Sequence, residues 1–151
     1  SGDSLGRIGA YRTVDPASMM TRWSIGLDSS DIDRVASEQE RLRWCEQTAS
    51  CDPQYASTGF LRAPTGVMKD FAQCRESGLD WYDPSLVLAP VQIVVGAWDA
   101  ETTPAQGQRL FERLTHAPTK QMTIIGEGTH SLLLERNRHQ LHSVVHQFLL
   151  S

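Results

Sequence analysis

An aspartate and a histidine in the second half of the chain each follow an apolar run that is typical of a buried strand. Asp99 ends the segment Gly-Ala-Trp-Asp, and His130 ends the segment Gly-Glu-Gly-Thr-His. A carboxylate hydrogen-bonded to one ring nitrogen of a histidine holds the ring in one tautomer and stabilises the imidazolium, as a general base requires. We therefore predict that Asp99 and His130 form an acid–base pair.

The elements around these two residues are predicted to form a β-α-β unit. Val91–Val95 is rich in β-branched residues and indicates a strand that is covered on both faces, and Met122–Ile125 indicates a second strand. Between them, Thr103 is a favourable N-cap and Pro104 a favourable first helical residue. The carboxyl ends of adjacent parallel strands emerge at the same edge of a sheet, so the aspartate and the histidine are expected to meet.

In this arrangement the chain resembles the C-terminal part of the alpha/beta-hydrolase family, in which the triad runs in the order nucleophile, acid, histidine. The resemblance covers the last part of the chain well and Arg62–Ala89 more loosely. It implies a serine hydrolase acting on an acyl substrate (an ester, lactone, amide or thioester) without a cofactor. In that reaction His130 is the general base and Asp99 orients it.

The resemblance also implies a fold class and a division of the chain. The fold is α/β, the C-terminal part of an alpha/beta-hydrolase with a helical cap, and only two parallel strands are clearly indicated in this chain. We predict a flexible N-terminal segment over 1–13, a helical cap or lid over 14–85, and the C-terminal β-α-β-α part of the hydrolase core over 86–151.

Three large apolar residues are candidates for substrate binding. Trp98 lies next to the predicted acid, and Trp23 and Met20 lie in the predicted cap. Caps of this kind exclude water and shape the substrate pocket. Packing inside the cap is the alternative role for Trp23 and Met20.

Local patterns within 14–85 indicate helices separated by loops. One helix is predicted to begin at Pro16 and stop near Gly26. A longer amphipathic helix is predicted to be capped by Ser30 or Asp31 and to continue to Cys45, because apolar residues recur on one face. Turn residues fill 62–66, and a short helix over 67–74 is predicted to end by Gly78.

A serine near the start of the chain matches two esterase motifs formally. Gly2-Asp3-Ser4-Leu5-Gly6 fits G-x-S-x-G and contains G-D-S-L. Such a serine works only on a sharp turn after a strand, and one residue precedes the motif here. We therefore expect the nucleophile outside this chain, in a missing N-terminal hydrolase portion or a companion chain. A self-contained esterase using Ser4 is an alternative, and a non-catalytic interaction module is another.

Composition and charge exclude several other classes. A net charge of −4 without a basic stripe argues against a nucleic-acid partner. There is no apolar run long enough to span a membrane and no signal-peptide pattern, which favours a cytoplasmic protein without a membrane partner. The three cysteines are expected to be reduced thiols, although a Cys45–Cys51 bridge stays open.

The predicted C-terminal helix over 137–150 carries three histidines on one face. His139, His142 and His146 have a spacing that a transition metal could use, but no carboxylate or cysteine joins them. We interpret this face as polar and solvated, and we predict no metal site in the chain.

Overall fold

The computed structural model describes residues 9–78 and 80–151, which belong to two compact units of a mixed α/β chain. The first unit contains residues up to Met20 together with Arg43–Asp83, and the second contains Thr21–Leu42 together with Pro84–Ser151. The segment 21–42, which the sequence places in the predicted cap, is thus grouped with the predicted core.

The first unit contains a two-stranded antiparallel sheet. Strand β1 (Tyr11–Val14) pairs with β2 (Leu61–Pro64), so that Tyr11 lies opposite Pro64. Strand β1 includes positions 11–13 of the segment that was predicted to be flexible, and β2 lies where turn residues predicted a loop. The prediction of a loop at 62–64 is wrong because the strand depends on pairing with a distant segment rather than on local sequence.

Helices make up most of the rest of the predicted cap. The bounds are α1 (Pro16–Trp23), α2 (Ser29–Val35), α3 (Glu38–Ser50), α4 (Tyr55–Thr58) and α5 (Gly66–Ser77). Helix α5 ends at Gly78, whose φ of +67° lies in the left-handed region that favours glycine. This confirms the predicted helix and its end.

The single long helix predicted from Ser30 or Asp31 to Cys45 is wrong, because the chain breaks between α2 and α3. Ala36 is extended, with φ −157° and ψ 141°. Ser37 Oγ then accepts the Glu40 N–H at 3.3 Å, and Glu40 Oε2 accepts the Ser37 N–H at 2.8 Å. This reciprocal cap starts a new helix, so the apolar stripe is divided between two helices.

The second unit contains the predicted β-α-β unit. Strand β3 (Val91–Gly96) pairs in parallel with β4 (Lys120–Ile125), and α6 (Pro104–Arg113) connects them. Thr103 caps α6, accepting the Gln106 N–H, while the Gln106 side chain accepts the Thr103 N–H. The two strands, their parallel pairing and the start of the helix are confirmed.

Helices lie on both faces of this strand pair. Gly107 of α6 lies close to Ile93, Val95 and Met122, which share one face because side chains alternate along a strand. On the other face, the Gln92 side chain donates to the main-chain oxygen of Val144 at 2.9 Å. Val144 belongs to α7 (Arg138–Leu150), and so the pair has helix, sheet and helix layers.

The cysteines and the C-terminal histidines agree with the simpler interpretations. All three cysteines are free, and Cys45 is buried, which raises the pKa of its thiol. His139, His142 and His146 are all exposed on α7. In the described ranges, no helix combines the length and the apolar character needed to cross a membrane.

Candidate active site

The aspartate is held at the end of β3 by the backbone that follows it. Asp99 is 8% exposed. Its Oδ1 accepts the N–H of Glu101 at 2.9 Å and the N–H of Thr102 at 2.8 Å. Because Oδ1 is occupied by these two donors, the carboxylate has a fixed orientation and Oδ2 is left to face another group.

That group is the histidine at the end of β4. His130 Nδ1 lies 3.0 Å from Asp99 Oδ2. An ionised carboxylate only accepts hydrogen bonds, so Nδ1 is the donor and the neutral ring has Nε2 as its free acceptor. The His130 side chain is 43% exposed, whereas that of Asp99 is 7% exposed. The structure thus brings together the two residues that the sequence predicted as an acid–base pair.

A glycine contact sets the distance between the two loops. A Cβ built on Gly96, the last residue of β3, would lie 2.1 Å from the Gly128 carbonyl oxygen. Trp98 N–H donates to the same oxygen at 2.9 Å. Any side chain at position 96 would therefore push the histidine-bearing loop away from the aspartate-bearing loop.

A buried carboxylate braces the histidine-bearing loop. Glu135 is 0% exposed. Its Oε2 accepts the Thr129 N–H at 2.9 Å, Oε1 accepts the Thr129 hydroxyl, and Oε1 also accepts the Trp23 indole N–H at 3.1 Å. Thr129 immediately precedes His130, so Glu135 fixes the backbone from which the imidazole projects. Glu135 was not among the predicted site residues, because a charged residue that begins the polar segment 135–140 carries no local sign of burial.

An ion pair joins the aspartate-bearing loop to α1. Arg22 donates from Nε to Glu101 Oε1 at 2.8 Å and from Nη2 to Oε2 at 2.7 Å. These hydrogen bonds are the main reason that the pKa of the Glu101 carboxyl lies below its usual value; they also raise the pKa of Arg22. Nothing in the sequence around Glu101 indicates that Arg22 is its partner.

A second arginine lies over the candidate pocket residue Trp98. The Arg34 guanidinium carbon is 5.2 Å from the centroid of the Trp98 ring, within the range of a cation–π contact. Arg34 also pairs with Asp31 at 2.8 Å and with Glu127. Glu127 has a φ of +54°, which is uncommon for a residue other than glycine. This turn residue is thus an ion-pair partner of Arg34.

The three predicted substrate-binding residues have different environments. Trp98 is half-buried beside Asp99, and Trp23 is 4% exposed with its indole N–H on Glu135. Met20 is half-buried on α1 and belongs to the first compact unit. Substrate binding by Trp98, Trp23 and Met20 stays a prediction. Ser4, the alternative nucleophile, lies outside the described residues.

Neither a metal-binding cluster in the described residues nor a match to a known protein gives further information on function. Within residues 9–78 and 80–151, no group of three or more His, Cys, Asp or Glu side chains is arranged to hold a metal ion. Comparisons of the chain with protein-family models, curated proteins and solved structures found no match. The geometry of Asp99 and His130 is therefore the main indication of function.

Proposed function

We propose that this chain supplies the general base and the orienting acid of an alpha/beta-hydrolase type serine hydrolase. The observation that carries the proposal is the 3.0 Å hydrogen bond between His130 Nδ1 and Asp99 Oδ2. The two residues follow the carboxyl ends of adjacent parallel strands, β3 and β4. The resemblance expected from the sequence and this geometry support the same assignment of roles.

The orientation of the imidazole suits proton transfer. With Nδ1 bound to the carboxylate, Nε2 is the nitrogen that would accept the proton of an attacking serine hydroxyl. The same proton would then pass to the leaving group, and Asp99 would stabilise the imidazolium formed in between. The 43% exposure of the His130 side chain leaves it accessible to a hydroxyl from another segment.

The proposed nucleophile lies outside this chain. Among the residues that the structure describes, none forms a hydrogen bond to His130 Nε2. Strands β3 and β4 form a sheet of two strands, which α6 covers on one face and α7 on the other. An N-terminal hydrolase portion or a companion chain that extends this parallel sheet would carry the serine.

The substrate class follows from the same proposal. A serine activated by a histidine attacks an acyl carbon, so the substrate would be an ester, lactone, amide or thioester. The mechanism needs neither a cofactor nor a metal. Nucleic acid and membrane partners are not part of the proposal, and a cytoplasmic location is proposed with it.

Serine labelling of the protein in its native assembly would test this function. Mass spectrometry and light scattering would establish whether another hydrolase portion or chain accompanies these residues, and a fluorophosphonate probe would mark an activated serine. We expect the label on a serine outside this chain and its loss in His130→Ala. His142→Ala, which removes an exposed histidine from α7, is the matched control and should label normally.

Two results would overturn the proposal. Labelling that persists in His130→Ala would show that this histidine is not the base. Labelling of Ser4 in the isolated chain would instead support the self-contained esterase.

The competing candidate is a non-catalytic interaction module in which Asp99 and His130 are structural. The observation that favours it is exposed apolar surface in the second unit, where Leu86 and Leu88 are each 74% exposed. A purified assembly with no labelled serine and no esterase activity would favour this candidate.

A further inference from the structure

Arg22 and Glu101 form a partly exposed ion pair that contains two separate hydrogen bonds. Arg22 presents Nε and Nη2 to the two carboxylate oxygens of Glu101, at 2.8 Å and 2.7 Å. The Arg22 side chain is 57% exposed and that of Glu101 is 27% exposed. Pairs as accessible as this contribute little to stability, whereas two-point arginine contacts fix a carboxylate in place.

Fixing the Glu101 carboxylate matters for the site because Glu101 lies on the aspartate-bearing loop. Glu101 follows Asp99 by two residues, and its N–H donates to Asp99 Oδ1 at 2.9 Å. Its carboxylate therefore belongs to the same loop as the carboxylate that binds His130. The pKa of Glu101 is lowered first by Arg22 and additionally by a protonated His130, while the charge of Asp99 opposes this lowering. Because Asp99 accepts the Glu101 N–H through one oxygen and binds His130 through the other, Glu101 lies next to the acid–base pair.

We propose that Arg22 is a positioning residue for the Asp99–His130 pair, because it binds and neutralises the Glu101 carboxylate that would otherwise add a second negative charge beside the imidazole. The catalytic role of Arg22 rests on the proposed function. Its effect on the protonation of His130 depends only on residues of this chain.

If the charge of Glu101 were not neutralised, His130 would bind a proton more tightly. A negative charge near a histidine favours the protonated ring. A general base that is protonated at working pH cannot accept a proton from the nucleophile. Arg22 would therefore keep His130 available as a base by cancelling one of the two carboxylate charges near it.

The experiment is an NMR titration of the His130 ring at low ionic strength in the full chain. The imidazole is hydrogen-bonded to Asp99, and two ion pairs involve the loops that carry these residues: Arg22–Glu101 on the aspartate-bearing loop and Arg34–Glu127 on the histidine-bearing loop. In Arg22→Gln we expect the titration midpoint to rise by about 0.5 pH unit, a threefold gain in proton affinity, with a smaller rise at high salt. Arg22→Lys should restore most of the wild-type midpoint.

A double variant of Arg22 and Glu101 distinguishes an electrostatic effect of Arg22 from a structural one. If Arg22 acts through Glu101, adding Arg22→Gln to Glu101→Gln should leave the midpoint of the Glu101→Gln variant unchanged. Arg109→Gln removes the same charge from an exposed site on α6 and should have no effect. Near-ultraviolet circular dichroism would verify that each variant is folded.

An unchanged midpoint in folded Arg22→Gln would overturn this inference, and so would a rise that persists in the Glu101→Gln background. Serine labelling of the assembly decides the proposed hydrolase function separately. Failure of one proposal is therefore distinguishable from failure of the other.

Discussion

The indole N–H of Trp23 donates to the carboxylate of Glu135 at 3.1 Å, and both side chains are buried. The tryptophan ends α1, whereas the glutamate lies beyond the histidine-bearing loop. Glu135 also accepts two hydrogen bonds from Thr129, so one carboxylate joins α1 to the residue before His130. A residue expected to line a pocket thus also helps to position the proposed base.

Replacing Glu135 by glutamine should destabilise the protein. All three groups that face the carboxylate are donors, and the amide of glutamine would place its own donor against at least one of them. Leaving buried donors unsatisfied costs about 1–3 kcal/mol in the free energy of unfolding. Urea unfolding followed by tryptophan fluorescence would measure the loss.

Glu46→Gln is the matched control for this change, because Glu46 is exposed on α3. It should leave the urea midpoint unchanged. Equal stability of the Glu135→Gln and Glu46→Gln variants would contradict the bracing role of Glu135.

Introducing alanine at Gly96 should both destabilise the second unit and separate the acid–base pair. Its Cβ would lie 2.1 Å from the Gly128 carbonyl oxygen and 2.9 Å from that of Thr129. Backbone must move to relieve such contacts, so we expect a cost of at least about 1–3 kcal/mol, the usual range for overpacking. Urea unfolding gives the cost, and the His130 ring proton in NMR spectra reports loss of its hydrogen bond.

Gly66→Ala provides the comparison, since a Cβ at Gly66 would meet nothing within 4 Å. That variant should be as stable as the wild type or slightly more so, because alanine favours the helix that Gly66 begins. If Gly96→Ala behaves in the same way, the close approach of the two loops is not needed.

The parts of the fold that the sequence predicted well are those with strong local signals. The β-branched run of β3 and the Thr103-Pro104 start of α6 each identify an element within a few residues. Parallel pairing then follows from connecting two strands through a helix, and the meeting of Asp99 and His130 follows from that pairing.

The parts that could not be predicted depend on partners far away in sequence. Nothing near Glu135 indicates that Trp23 will bury it, and nothing near Arg22 identifies Glu101 as its partner. The break between α2 and α3 is different. Ser37 and Glu40 have the spacing of a capping box, so that local signal was present and was outweighed by the continuous apolar stripe.

Acid should weaken the first unit through Asp52. Hydrogen bonds from Arg62 lower the pKa of the Asp52 carboxyl from 3.8 to about 2. A carboxyl with a lower pKa in the folded state stabilises the fold above the unfolded value of 3.8, and this contribution is lost as the pH falls toward 2. The free energy of unfolding should therefore fall more steeply between pH 4 and pH 2 in wild type than in Asp52→Asn.

Urea unfolding at a series of pH values would measure this difference in slope. Asp70→Asn removes an exposed carboxylate on α5 and should retain the wild-type slope. Parallel pH profiles for wild type and Asp52→Asn would contradict the stabilising role of the Arg62–Asp52 pair.

Replacing Asp99 by asparagine should change the tautomer of His130. The carboxylate accepts the Nδ1 proton at 3.0 Å, and an amide can instead present a donor to that nitrogen. The neutral ring would then shift toward the form protonated at Nε2, which cannot accept a proton from a serine. In the proposed hydrolase assembly we expect the rate of fluorophosphonate labelling to fall by about 10⁴-fold, the loss that the corresponding aspartate-to-asparagine change causes in a serine protease.

The tautomer can be read directly from the ¹⁵N chemical shifts of the His130 ring in the isolated chain. We expect the wild-type neutral ring to be protonated at Nδ1 and the Asp99→Asn ring to lose that preference. His116 is a useful internal reference, because its Nδ1 lies 2.7 Å from the main-chain oxygen of Ser85 and should keep its tautomer in both proteins. Identical ring shifts for His130 in the two proteins would mean that Asp99 does not set the tautomer, and the role proposed for the carboxylate would then have to be withdrawn.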